Sequence, residues 1–233
     1  MQLNEMSRIA GRQRYSSPVM QERRRRILAE ARALLAEAGE PGFNIRELSR
    51  RAGVSSRTLY HAFGGRDGIL GHAIAEHIEA LREEWAANPL GGDIDSILAE
   101  YDTVAVEIER NSAYNRMLVA LFFSVNPIRP ALESIRSLPA DRFGRWLDAT
   151  PKRALLPRLD RERAIDRYVN GELSTYRYWA SNRIALAALA DELRINFLSN
   201  LLSITVGPLR TDIVRRYARL CAKHGRTENR HAI

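Results

Sequence analysis

Residues 43–66 read FNIRELSRRAGVSSRTLYHAFGGR, and the small and polar residues inside this stretch decide how it folds. Asn44 followed by Glu47 has a capping-box layout, in which the short side chain satisfies an orphan amide and the glutamate reaches back toward the cap. A short helix over 45–52 is expected from there. Ala52-Gly53-Val54-Ser55 then supplies a small residue for close packing, a glycine able to take a positive φ, an apolar plug and a new N-cap. A second short helix follows, with Leu59 and Phe63 facing inward. Two short helices joined by a tight glycine turn have the layout of a helix-turn-helix, whose second helix fits the major groove, about 12 Å wide, a layout that plain helical hairpins share. Its outward side chains are Ser56, Arg57, Thr58, Tyr60 and His61, all able to bond phosphates or base edges, with Arg66 just beyond. Arg57 is the best placed for a bidentate contact with guanine. Tyr60 has a competing reading as a core aromatic, a role that Leu59 and Phe63 fill better.

Upstream, Ile27, Leu28, Ala31, Leu34, Leu35 and Ala38 form the single apolar stripe of a 3.6-residue period. Ser17 then Pro18 marks its start and Gly39 its stop, predicting a helix from Pro18 to Ala38. Arg23 to Arg26 on that helix read either as a solvated face or, with Arg8, Arg12 and Arg14 in a flexible arm, as a track for the phosphate backbone or a minor groove. Downstream, breakers at 88–92, 126–130, 139, 150–151, 157 and 207–208 leave segments long enough for helices. Ile94, Ile97, Leu98, Tyr101, Ala105 and Ile108 form one stripe, and Ile165, Tyr168, Val169, Leu173, Tyr176 and Ala180 another. Nothing alternates with period two over a useful length. The expected fold class is all-α, with nine or ten helices: a basic arm over 1–17, a helix-turn-helix domain over 18–66, a larger helical domain over 67–224 and a basic tail over 225–233. Gly68 and Gly71 weaken the start of the fourth helix, reading as a hinge or merely as poor helix formers.

The 233 residues are 45% hydrophobic and 27% charged, with a mean hydropathy of −0.33, which excludes disordered, collagen-like and disulfide-scaffold classes. A single cysteine, Cys221, permits neither an intrachain disulfide nor a thiolate cluster. The longest apolar run, Met117 to Val125, spans nine residues with Ser124 inside it, short of the roughly 20 that a bilayer requires. No secretory h-region stands in the first 20 residues, so a cytoplasmic protein is expected. Charge is uneven. Residues 1–72 carry net +6 and residues 206–233 net +5, while the middle, 73–205, is net −3. Polyanion binding is therefore expected near the N-terminus and not in the middle of the chain. Of 36 basic residues 34 are arginine, a bias that a GC-rich genome explains as well as phosphate recognition does.

Phe43 to Leu70, with Ala52-Gly53-Val54-Ser55, then Thr58-Leu59-Tyr60, then Phe63 and a basic residue three positions on, resembles the DNA-binding domain of the tetracycline-repressor (TetR) family. The resemblance implies phosphate contacts by Thr58, Tyr60 and Arg66, and an approach to bases by Ser56, Arg57 and His61. Asn44, Arg46 and Ser55 complete the expected DNA-facing set. Some positions depart from the family pattern: Arg66 stands where lysine is commoner, Ser49 replaces a usual alanine at the helix–helix contact, and Arg57 occupies a position often small. The operator sequence therefore cannot be inherited from any relative.

Residues 93–224 are too long and too aromatic to serve only as a handle. The resemblance implies a cavity between helices for a modest-sized, largely apolar or aromatic effector, with Tyr101, Tyr114, Phe122, Trp146, Glu172, Tyr176 and Trp179 as its expected wall and Asn115 and Arg116 as further polar anchors. Most of these aromatics taken singly read as ordinary core. Leu186, Leu189, Leu193, Phe197, Leu201 and Ile204 stripe the second of two helices between 160 and 206, a pair that in the family joins its mate in a four-helix bundle. A homodimer on a near-palindromic operator in double-stranded DNA is expected. No cofactor is expected. His72 and His77 are five apart, not the spacing that puts two metal ligands on one helix face, so no metal site is expected. No catalytic triad or phosphate loop can be assembled, so the chain is read as a regulator and not an enzyme. Two alternatives stay open: a non-specific nucleic-acid-binding helical protein, and an enzyme using the central cavity.

Overall fold

Apolar side chains repeating every three or four residues fold into helices that each bury one face. Among the described residues, 18–86 and 91–228 of the computed structural model, there are ten α-helices and no sheet, in agreement with the all-α expectation. The arm with Arg8, Arg12, Arg14 and Ser17 and most of the tail lie outside the described residues. Three helices form the head: α1 (Pro18–Gly42), α2 (Ile45–Ala52) and α3 (Ser56–Phe63). The linking helix α4 (Arg66–Ala86) runs unbroken from the head into the body. The body contains α5 (Ile94–Arg110), α6 (Ser112–Phe122), α7 (Arg129–Ala149), a 3-10 turn (Lys152–Ala154), α8 (Arg161–Ala180), α9 (Leu186–Ile204) and α10 (Gly207–Glu228).

The first helix buries Ile27, Leu28, Ala31, Leu34 and Leu35 as its spacing predicts. Its regular path ends at Gly39, as expected. That glycine (φ 67°, ψ 178°) is a kink, after which one more turn carries the chain to Gly42. Pro41 fits this turn because its fixed φ suits the start of a helical segment. Head and body are not separate cores. One buried apolar cluster runs from Ile27 through Leu59 and Leu70 to Ile213. Within it α1 packs on α4 and α6, α4 on α7, α7 on α8, and α9 on α5, α8 and α10. An Arg32–Glu76 ion pair adds a polar tie between α1 and α4.

The body's centre is aromatic. Phe143 stacks on Tyr168 with ring centroids 4.4 Å apart, and the Phe197 edge meets Tyr101, Phe143, Trp146 and Tyr168. Such offset and edge-on pairs add specificity beyond the area they bury. Leu189, Leu193, Phe197 and Leu201 of α9 are fully enclosed by their own protomer. The apolar stripe on this helix thus faces its own core and cannot be the surface that meets a second copy. Among the described residues no helix is long and apolar enough to cross a membrane.

Candidate nucleic-acid interface and ligand cavity

Local chemistry builds the head. Asn44 Oδ1 accepts from the Arg46 amide at 2.8 Å, capping α2. The reciprocal half of the expected capping box is absent, because Glu47 is held instead by Arg50 (2.9 Å to its Nε) and Arg51 (2.8 Å). These guanidinium hydrogen bonds hold the Glu47 carboxyl at about 2. At the turn, Gly53 takes the left-handed conformation (φ 61°, ψ 38°), as a tight helix C-cap requires. Ser49, where the family pattern has alanine, donates to the Val54 carbonyl at 2.5 Å and latches the turn from inside. Ser55 then caps α3, accepting from the Thr58 amide at 3.1 Å, with the Ser55 and Thr58 hydroxyls 2.8 Å apart.

Packing of Leu59 and Phe63 into the core orients α3 so that Arg57, Tyr60 and His61 lie exposed on one face. Tyr60 is 56% exposed, which removes its reading as a core residue. Ser56 and Thr58 are half-buried beside this face, and Arg46 is exposed on α2. Arg66 is placed differently. Its guanidinium donates to the carbonyl and carboxylate of Glu40 and lies 5.9 Å from the Phe43 ring, so it braces the end of α1 against the start of α4. Any phosphate has to share that charge with Glu40. The run at 23–26 also divides. Arg24 lies 4.7 Å over the Phe63 ring, and Arg26 donates to the Ala52 carbonyl at 3.3 Å, satisfying an orphan acceptor at the end of α2. Arg23 and Arg25 remain exposed.

In the body, α4 to α8 surround a cavity of about 730 Å³, its open side included. Its apolar wall includes Ile78, Leu81, Trp85, Leu118, Phe123 and Trp179; its polar groups are His77, Glu107, Asn115, Arg142, Glu172 and Tyr176. Of the expected wall, Glu172, Tyr176 and Trp179 lie here, together with Asn115. Tyr101 and Trp146 belong to the aromatic core, at 0% and 2% exposure. Tyr114 sits behind the wall, its ring 4.9 Å from that of His77, and Phe122 packs edge-on to Phe123. Arg116 leaves the cavity to cap the end of α8, donating to the Trp179 and Ala180 carbonyls and lying 4.5 Å over the Trp179 ring. Sequence reading missed Trp85, His77, Glu107 and Arg142. For Arg142 a signal existed: it falls on the stripe Ala131, Ile135, Pro139, Arg142, Trp146 that α7 buries.

Arg142 and Glu172 form the polar floor. Arg142 donates to Glu100 at 2.8 Å and to Glu172 at 2.7 Å. Glu172 also accepts from Tyr176 at 2.8 Å, from Tyr168 and, at 3.3 Å, from Tyr101. Glu100 is completed by Arg145. Burial first, then the charge of Glu172, pushes the Tyr168 and Tyr176 phenols well above their ordinary range, so both stay protonated donors. This network ties α5, α7 and α8 together; Glu172 is a strut more than a vacant anchor.

At the other end His77, 15% exposed, points at Glu107 Oε1 across 3.9 Å. Burial, then the charge of Arg32, lowers its imidazole from 6.5 to about 4. A histidine held neutral by the fold lets the unfolded chain bind the extra proton between those values, so stability rises with pH across that window. The difference between wild type and His77→Phe, followed by urea unfolding from pH 7 to pH 4, is expected to change by up to about 3 kcal/mol, with wild type losing the more on acidification. Equal pH slopes would remove this role from His77. Among the described residues no group of three or more His, Cys, Asp or Glu side chains is placed to hold a metal.

A head whose second short helix displays Arg57, Tyr60 and His61, joined to a helix that walls a cavity in the body, has the layout of a helix-turn-helix domain set on a helical body. Residues 27–73 match the family model described as bacterial regulatory proteins, tetR family. No curated protein matches the chain by sequence. Among solved structures, a TetR transcriptional regulator from Rhodococcus sp. RHA1 is similar at 17% identity and TM-score 0.61, covering 78% of this chain and 97% of that one. Thermus thermophilus FadR, a TetR-family repressor in complex with lauroyl-CoA, is similar at 19% identity and TM-score 0.61, covering 79% and 96%. Bacillus subtilis FadR in complex with stearoyl-CoA matches at 16% identity and TM-score 0.55, covering 72% and 94%. Residues 27–73 thus carry the tetR-family sequence pattern, and the chain as a whole shares the fold of these regulators.

Proposed function

We propose that this regulator is a cytoplasmic homodimeric repressor that acts by binding and not by turnover, leaving a near-palindromic operator when a small, largely apolar or aromatic effector enters the body cavity. One observation carries the reading. The helix that walls the cavity with His77, Ile78, Leu81 and Trp85 is the same helix whose first residue, Arg66, is bonded to the head. An effector that prefers one setting of α4 therefore biases the spacing of the two heads, which have to sit about 34–36 Å apart on DNA. The paired surface is assigned to the outer side of α9, where Ala188, Ile195 and Leu202 are half-exposed at seven-residue spacing, the period of a helix-pairing seam.

Selecting binding sites from a random pool of duplexes tests this directly. Recovery of a two-fold symmetric site, bound by a dimer and released by an apolar compound, is the expected result; binding without sequence preference favours a non-specific nucleic-acid binder. Affinity is expected to fall steeply with salt, since arginines displace phosphate counterions. Arg57→Ala is expected to cost about 1–3 kcal/mol in anisotropy titrations and to relax the preference at one base pair per half-site. A uniform loss over all sequences would reassign Arg57 to the phosphates.

A further inference from the structure

Most polar atoms on the cavity wall are already bonded. Glu172 accepts from Arg142, Tyr176, Tyr168 and Tyr101, and Arg142 is divided between two carboxylates. The opposite end differs. His77 Nε2 is buried without a hydrogen-bond partner, and Glu107 Oε1 stands 3.9 Å from it, too far for a hydrogen bond. That oxygen accepts from Asn111 Nδ2 at 2.7 Å and keeps its second lone pair, while Arg110 lies 3.6 Å from the other oxygen. A carboxylate only accepts, whereas an imidazole N–H donates. A hydroxyl serves both at once, donating to Glu107 and accepting from His77. His77 and Glu107 both line the cavity, beside any ligand seated there.

We propose that the cavity selects an uncharged alcohol or phenol with an apolar body, its hydroxyl bridging His77 on α4 and Glu107 on α5. This rests on the reading of the cavity as the effector site and adds the effector's chemistry. Anions are disfavoured. Among the described residues Arg142 is the only arginine or lysine lining the cavity, and it is committed to Glu100 and Glu172, while Arg110, outside the lining, is paired with Glu107. Neither a carboxylate nor the phosphates of a CoA thioester find a partner on such a wall. The bridge would also join the helix that carries the head to its neighbour in the body.

Isothermal titration calorimetry of the full chain at pH 7 with naphthalene, 2-naphthol, 2-naphthoate and lauroyl-CoA tests this. Wild type is expected to bind 2-naphthol at least about tenfold more tightly than naphthalene, because a wall built to hydrogen-bond a hydroxyl rejects the analogue lacking it. The advantage should shrink to about twofold or less in His77→Phe and persist in His77→Gln, whose amide can donate and accept. Equal affinity for naphthalene and 2-naphthol in wild type, or tighter binding of 2-naphthoate or lauroyl-CoA, overturns the hydroxyl assignment while leaving the cavity as the effector site. Failure of all four probes to bind overturns both. Should His77→Phe not fold, the wild-type ranking of the probes still decides.

Discussion

Replacing Arg142 with methionine is expected to lower the unfolding free energy by about 3–5 kcal/mol, a large part of the stability of a domain this size. The guanidinium is 1% exposed and holds Glu100 on α5 and Glu172 on α8 from its place on α7. Removing it leaves Glu172, itself 1% exposed, as a buried anion supported only by phenol hydroxyls, whereas Glu100 keeps Arg145. The loss comes from the uncompensated charge and not from lost packing, since methionine fills much of the same volume. The double variant Arg142→Met/Glu172→Leu is therefore expected to recover most of the stability, because an apolar replacement of a whole buried pair is often neutral. Urea unfolding of the two variants checks both parts. A single variant as stable as wild type would mean that the network contributes little, and a double variant no better than the single would place the loss in packing.

The second large effect is expected at Gly68. A glycine near the start of a helix ordinarily gains about 1 kcal/mol when changed to alanine. Here the sign reverses. A Cβ at Gly68 would lie 1.7 Å from the Phe63 carbonyl oxygen and 2.9 Å from its carbon, both backbone atoms at the end of α3. Neither can swing aside as a side-chain tip does, so the α3–α4 junction has to open. Gly68→Ala is expected to cost about 3 kcal/mol in thermal or urea unfolding and to weaken DNA binding by misplacing α3. Gly71→Ala gives the comparison: its Cβ meets the Pro130 side chain at 3.1 Å, where a few tenths of an ångström suffice, and a change within about 1 kcal/mol is expected. Equal effects at the two positions would show that the clash at Gly68 is relieved by an easy local shift. The two glycines, read from sequence as a hinge or as weak helix formers, hold close approaches between helices.

Much of the head was legible because its determinants are local. Caps at Asn44 and Ser55, a left-handed glycine at 53 and inward Leu59 and Phe63 act within a few residues of chain, and each appears where the spacing places it. Periodicity likewise announced the helices of the body. It did not reveal which stripe met which neighbour. The α9 stripe is wrapped by its own protomer, and Tyr101 and Trp146, expected in the cavity wall, are filled around by Phe197 and Phe143. Arg66 shows the same limit inside the head, because its contact with Glu40 spans 26 positions.

What the order of residues determined by itself, then, is the list of helices, the reading head and the sign of charge near the N-terminus, all set by interactions between residues a turn or two apart. Tertiary structure alone decided where charge is spent and where space is left. Arg142 finds Glu172 across 30 positions, and His77 meets Glu107 with no bond between them. Those encounters depend on how whole helices dock, which no local pattern encodes.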